Sequence, residues 1–188
     1  RPRRGDPDPI VDEDLGRALG AIVEDAADHD LDRRLVRDAV GLARRSAAAA
    51  GTRAVASGRW LAGVSVDTAG HLPIRDAATL RGHHHGLSGA LVAKPLIRNA
   101  SLSSAAVGAT TGALAAASQV TPATWAAMPV ELAVETLVVV GIEMKLAGEL
   151  HEAAGYPVAG DLRRHGPLLA KAWSETRGLD PTELATLL

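Results

Sequence analysis

Apolar positions recur along this chain at helical rather than strand spacing. Leu15, Leu19, Ile22 and Val23 fall at i, i+4, i+7 and i+8, one face of a helix that Asp12 or Asp14 can cap. Beyond Asp30, the residues Leu31, Leu35, Ala39, Leu42 and Ala43 continue on a single face, with Arg33, Arg34, Arg37, Arg44 and Arg45 elsewhere. This second helix is amphipathic and basic, and its cations read as a solvated outer face. From Gly51 to Gly70 the pattern is ambiguous, and Trp60, Leu61, Val64 and Val66 predict a short helix followed by a loop. His71-Leu-Pro-Ile-Arg-Asp76 reads as a turn into a short helix that ends at Arg81-Gly82. A further helix is expected from Ser88 towards Pro95, which lacks an amide hydrogen and should kink or restart it.

The centre of the chain is the most distinctive part. No charged residue occurs from Asn99 to Val130, and Ala100 to Val120 is a run of small and β-branched residues with Gly108 and Gly112 four apart. Thr121-Pro122 has the form of a helix start, with threonine as cap and proline at the first helical position. The second limb, Ala123 to Leu150, carries Trp125, Met128, Leu132, Val134, Leu137, Val138, Val139, Val140 and Ile142. Two long helices joined by a tight turn make an αα-hairpin, and small side chains let such helices approach closely. After Tyr156 the chain is broken by Pro157 and Gly160. A helix from Pro167 to Arg177 and a last one capped at Asp180-Pro-Thr-Glu183 complete the pattern.

These elements predict an all-α helical bundle around a central small-residue αα-hairpin, with residues 1–9 as a flexible tail and 10–188 as a single domain. Composition agrees. Of 188 residues, 47% are hydrophobic, yet there is no phenylalanine, one tyrosine and three tryptophans, so alanine, glycine, leucine and valine must fill the core. Net charge is −2, which argues against a dedicated nucleic-acid binder. The absence of cysteine excludes disulfide scaffolds, cysteine zinc sites and thiol catalysis. The first nine residues lack the apolar core of a signal peptide.

Length would allow the hairpin to cross a membrane, but its chemistry argues otherwise. Alanine, glycine, serine and threonine gain little from lipid, and Glu131, Glu135, Glu143 and Lys145 lie within reach of any span. Each would cost about 2.5–3.5 kcal/mol near mid-bilayer. At 100° per residue, Glu131, Glu135, Lys145, Glu149 and Glu152 share one side of the second limb, which reads as a solvated face. Glu143 lies apart from them, a partly buried acid with Lys94 or Arg98 as its expected partner.

Motifs for phosphate loops, dinucleotide binding, nucleophile elbows and zinc-protease helices are missing. His83, His84 and His85 are the one metal-flavoured signal, yet adjacent side chains diverge, so no metal site and no cofactor is assigned. Catalytic residues are not assigned either. Gly108, Gly112, Trp125 and Glu143 are the candidate interaction residues, on the helix surface where a partner would meet small side chains.

One stretch carries a resemblance. It begins with His71-Leu-Pro-Ile-Arg-Asp76, Thr79-Leu80, Arg81-Gly-His-His84 and the small-residue limb Ala105 to Ala117. It continues after Thr121-Pro122 with Pro129-Val-Glu-Leu-Ala-Val-Glu-Thr-Leu137, Ile142-Glu-Met-Lys-Leu146, Glu149-Leu-His-Glu152 and Gly155-Tyr-Pro-Val158. This order resembles actinobacterial members of the EcsC-like proteins over residues 71–161, about half the chain. The resemblance implies a helical protein with a peripheral membrane or transport-associated role, and brings no catalytic residues. The expected function is a non-enzymatic interaction or scaffold protein, cytoplasmic or peripheral to a membrane or transport complex. Its expected partners are a protein, a second copy, or a membrane surface. The alternatives are a small-molecule or lipid-binding helical protein and, third, a metal-dependent enzyme using His83 to His85 with Glu143.

Overall fold

The computed structural model describes residues 9–27, 31–56, 59–118 and 128–176, and among these no strand occurs. The helices are α1 (Pro9–Ala27), α2 (Arg33–Ala50), α3 (Thr52–Ala56), α4 (Arg59–Ala69), α5 (Ala77–His83), α6 (Ala90–Ser118), α7 (Met128–Ala153) and α8 (Leu162–Thr176). A 3₁₀ turn, Ala159–Asp161, leads into α8. Local chemistry sets several boundaries. Asp32 caps α2 by accepting from the Arg34 amide at 2.7 Å, and Asp76 caps α5 from the Thr79 amide at 2.7 Å. Gly155, at φ +89°, ends α7 in the left-handed conformation that glycine adopts without strain.

The apolar stripe of α1 forms as its spacing predicts: Leu15, Leu19, Ile22 and Val23 are all 1% exposed or less. They join Val36, Ala39 and Ala43 of α2 and Val134, Leu137, Val138 and Ile142 of α7 in one core. The axis of the bundle is α7, which packs against α1, α2, α4, α5, α6 and α8. A helix surrounded in this way is apolar on most sides, which explains why its sequence shows no single greasy stripe.

α6 and α7 pack against each other and run antiparallel. Val92 and Leu96, early in α6, meet Leu146 and Leu150, late in α7, while Gly108 sits beside Glu135. The turn expected at Thr121-Pro122 lies outside the described residues, as does Trp125. The tight backbone approaches fall elsewhere than the Gly108/Gly112 pair. A Cβ on Gly108 would meet Glu135 at an ordinary 3.6 Å, and the surroundings of Gly112 are outside the described residues. By contrast, a Cβ on Gly20 would lie 2.5 Å from the His71 carbonyl oxygen, and one on Gly166 would lie 3.0 Å from the Ala69 carbonyl. Among the described glycines, the closest approaches to another segment's backbone are therefore of α1 to the loop at His71 and of α8 to α4.

Three boundaries differ from expectation. Pro95 does not restart a helix; it sits within α6, where the carbonyl left without its amide partner belongs to exposed Leu91. α1 begins at Pro9, ahead of both Asp12 and Asp14, whereas α4 is the short helix that Trp60, Leu61, Val64 and Val66 predict, ending at Ala69 ahead of a loop, with Trp60 and Val64 buried in the core and Trp60 Nε1 donating to Ser46 Oγ of α2 at 2.9 Å. α8 begins at Leu162, ahead of Pro167, with Asp161 accepting from the Arg164 amide at 3.2 Å.

Candidate functional site

Two features of the bundle bear on function: a buried charge cluster under the 71–76 loop, and the outer face of α6. The cluster overturns the reading of Lys145, Glu149 and Glu152 as a solvated face. They are 6%, 3% and 5% exposed. The side of α7 that carries them is covered by the loop from His71 to Asp76 and by α5. Ile74 of the loop drops into the notch left by Gly148, where a Cβ would lie 2.5 Å from its Cδ1.

Burial of three charged groups requires that each be satisfied. Arg75 donates to Glu149 from Nε at 2.7 Å and from Nη2 at 3.3 Å, and its backbone amide reaches the same carboxylate at 3.4 Å. Lys145, one helical turn before Glu149, donates to the same oxygen, Oε1, that Arg75 Nε reaches. Burial pushes the Glu149 carboxyl up, but the Arg75 hydrogen bond and the charge and hydrogen bond of Lys145 outweigh this and hold it below its usual 4.5. Glu152 accepts from the backbone amides of Ala77 (3.2 Å), Val158 (2.6 Å) and Ala159 (2.7 Å), tying the start of α5 to the segment after α7. Both carboxylates act as clamps on backbone.

A cleft of about 300 Å³, counting its open mouth, lies above Lys145 and Glu149, between Leu96, Asn99 and Ser103 of α6 and Ile142 of α7. Its charged groups face one another across hydrogen bonds and hold the loop in place. This engagement favours a structural role over capture of a small molecule.

The histidines diverge. His83 Nδ1 lies 3.2 Å from Arg75 Nη1, His84 carries a buried Nε2 with no hydrogen-bond partner, and His85 is exposed in a left-handed turn at φ +54°. Burial, with Arg75 nearby, pushes the His84 imidazole below its usual 6.5. Among the described residues no group of three or more His, Asp or Glu side chains is placed to hold a metal ion.

Glu143 is partly buried, but its partner is neither Lys94 nor Arg98. Trp173 Nε1 of α8 donates to Glu143 Oε2 at 2.6 Å. The helix covering this acid is thus α8. Lys94 and Arg98 are exposed on the outside of α6. That outside face is the second feature. Leu91, Ile97 and Leu102 are 71%, 50% and 44% exposed, and Leu87 just ahead of the helix is 38% exposed. At 100° per residue, Leu91, Arg98 and Leu102 fall within about 40° of one another, with Lys94 and then Ile97 to one side. No acidic residue occurs anywhere in α6. The sequence does not mark this face, because buried Val92 and Leu96 alternate with exposed Leu91 and Ile97 and residue type does not tell them apart.

Among the described residues, no helix is long and apolar enough to cross a membrane. Set against family models, curated proteins and solved structures, the chain gives no match, and none of these comparisons adds to the EcsC-like resemblance.

Proposed function

We propose that this chain is a non-enzymatic docking protein that settles on an anionic membrane surface through the outer face of α6. The observation that carries the reading is the placement of Leu91, Ile97 and Leu102 beside Lys94 and Arg98, exposed on a helix without an acid. Helices that lie in a membrane interface combine apolar side chains, which enter the acyl boundary, with cations, which meet anionic headgroups. Each cation contributes about 1 kcal/mol at such a surface, so Lys94 and Arg98 together supply about 2 kcal/mol, roughly thirtyfold in affinity. Association of this size is reversible and salt-sensitive.

A second copy of the chain fits this face less well. A two-fold contact centred on it would set Lys94 and Arg98 against their own copies, with no acid on α6 to answer them. Small-molecule binding draws less support, because the cleft's charges are engaged in holding the 71–76 loop.

Co-sedimentation tests the proposal. The intact chain is mixed with vesicles of phosphatidylcholine alone and with vesicles containing phosphatidylserine. Pelleting with the anionic vesicles only, reduced about thirtyfold in apparent affinity by the paired changes Lys94→Gln and Arg98→Gln, is expected. Equal pelleting with both vesicle types, or none with either, overturns it.

A further inference from the structure

α5 and the histidine turn behind it are fastened to the bundle by hydrogen bonds to titratable side chains. A guanidinium group can only donate, so the contact between Arg75 Nη1 and His83 Nδ1 at 3.2 Å requires an unprotonated Nδ1. The buried Nε2 of His84 has no partner, and a proton there would be a donor with nothing to receive it, close to Arg75. On α7, Glu149 and Glu152 accept as carboxylates, the first from Arg75 and Lys145, the second from three backbone amides.

We propose that residues 75–87 form an acid-released strap: a proton gained in the histidine turn, at the buried and unpartnered Nε2 of His84, lifts α5 from α7 and uncovers the cluster of Leu80, Val92 and Leu96. The charged and titratable groups facing His84 are Arg75, Glu149, His83 and His85; those facing Glu149 are Arg75 and Lys145. A charge gained on His84 therefore meets Arg75 at once, while Glu149, the one anion among them, is already committed to two cations.

The apolar hold is slight. α5 has seven residues, and Leu80 is its only buried one. A helix so short has no stability of its own and stays only while its anchors do. The residues on either side behave differently. Leu72 and Ile74 belong to the main core, and Gly86 and Gly89 lie at positive φ. The strap thus ends at a fixed point before Arg75 and at a glycine turn before α6. What it uncovers packs against Leu146 and Leu150, next to the exposed Leu87 and Leu91. The inference stands apart from membrane docking, since its test contains no lipid.

Hydrogen–deuterium exchange of the intact chain at about pH 7.5 and about pH 5, converted to protection factors, reads the strap directly. Protection over 75–87 should fall about tenfold or more at the lower pH, while peptides of α1 and mid-α7 keep theirs. The paired change His83→Gln and His84→Leu, which leaves Arg75 an acceptor and removes the unpartnered His84 ring, should keep the strap closed at about pH 5. Glu149→Gln should open it at about pH 7.5, and the histidine variant decides the matter by itself if that carboxylate variant does not fold. Unchanged protection over 75–87 at the lower pH overturns the inference. So does equal loss in α1, or a histidine variant that opens as the parent does.

Discussion

Arg75 and Glu149, 74 positions apart in sequence, meet under the 71–76 loop through the guanidinium and the backbone amide of the same arginine. Together with Lys145 they convert one side of α7 from a potential solvent face into a buried seam. Removing the arginine leaves a carboxylate that is 3% exposed with Lys145 as its remaining charged neighbour. Arg75→Ala should therefore cost about 3 kcal/mol, the low end for breaking a buried pair because one cation stays. Urea denaturation measures it; a loss under about 0.5 kcal/mol would mean the seam contributes nothing beyond a surface pair.

Stability should decline on acidification in two stages. His84 has its imidazole below the usual 6.5, so the unfolded chain takes up a proton first and the folded state weakens as pH falls from 6.5 towards the lower folded value. Glu149 is held below 4.5, so its contribution is complete above 4.5 and is lost as pH falls through the folded value. Both slopes have the same sign. Urea midpoints taken from about pH 8 down to about pH 4 should fall throughout the lower half, and a midpoint that rises on acidification contradicts the assignment.

Two glycines separate close approach from mere composition. A Cβ on Gly20 meets the backbone of His71, whereas one on Gly63 meets nothing within 4 Å. Gly20→Ala should destabilise by about 1–3 kcal/mol through overpacking against backbone that cannot yield cheaply. Gly63→Ala, in α4, should stabilise by about 0.5–1 kcal/mol through helix propensity. Thermal melts of the two variants should move in opposite directions.

The link between α2 and α4 makes a further check. Ser46 is 1% exposed and its hydroxyl receives Trp60 Nε1. Ser46→Ala leaves that indole donor buried without a partner and should cost about 1–3 kcal/mol. The same denaturation curve gives the answer.

How much of this was legible beforehand divides along a physical line. The core stripe of α1 was readable because periodicity reports a face that is buried in place. The helical character of residues 100–118 was readable too, from their small side chains and the length of the run. Lys145, Glu149 and Glu152 were misread because angular position on a helix says which residues share a side, never what lies over it. The covering element is the loop with Arg75 and Ile74, packed into place by the notch at Gly148, and that pairing joins segments far apart in sequence. The helix runs through Pro95 for a similar reason. Proline removes one hydrogen bond, but in α6 the carbonyl it abandons belongs to an exposed residue, which water can satisfy. The candidate docking face shows its apolar character only when burial is known: Leu91 and Leu96 look alike in sequence, and one is 71% exposed while the other is 2%.

Because the chain contains no cysteine, a single thiol can be placed on either side of the molecule and labelled with an environment-sensitive dye. Leu91→Cys puts the dye on the outer face of α6, and Leu168→Cys, at a residue 60% exposed on α8, serves as the control. Docking of α6 predicts that phosphatidylserine-containing vesicles shift the emission of the dye at position 91 to the blue and leave that at position 168 unchanged. Identical responses at the two positions, or none at position 91, would contradict it.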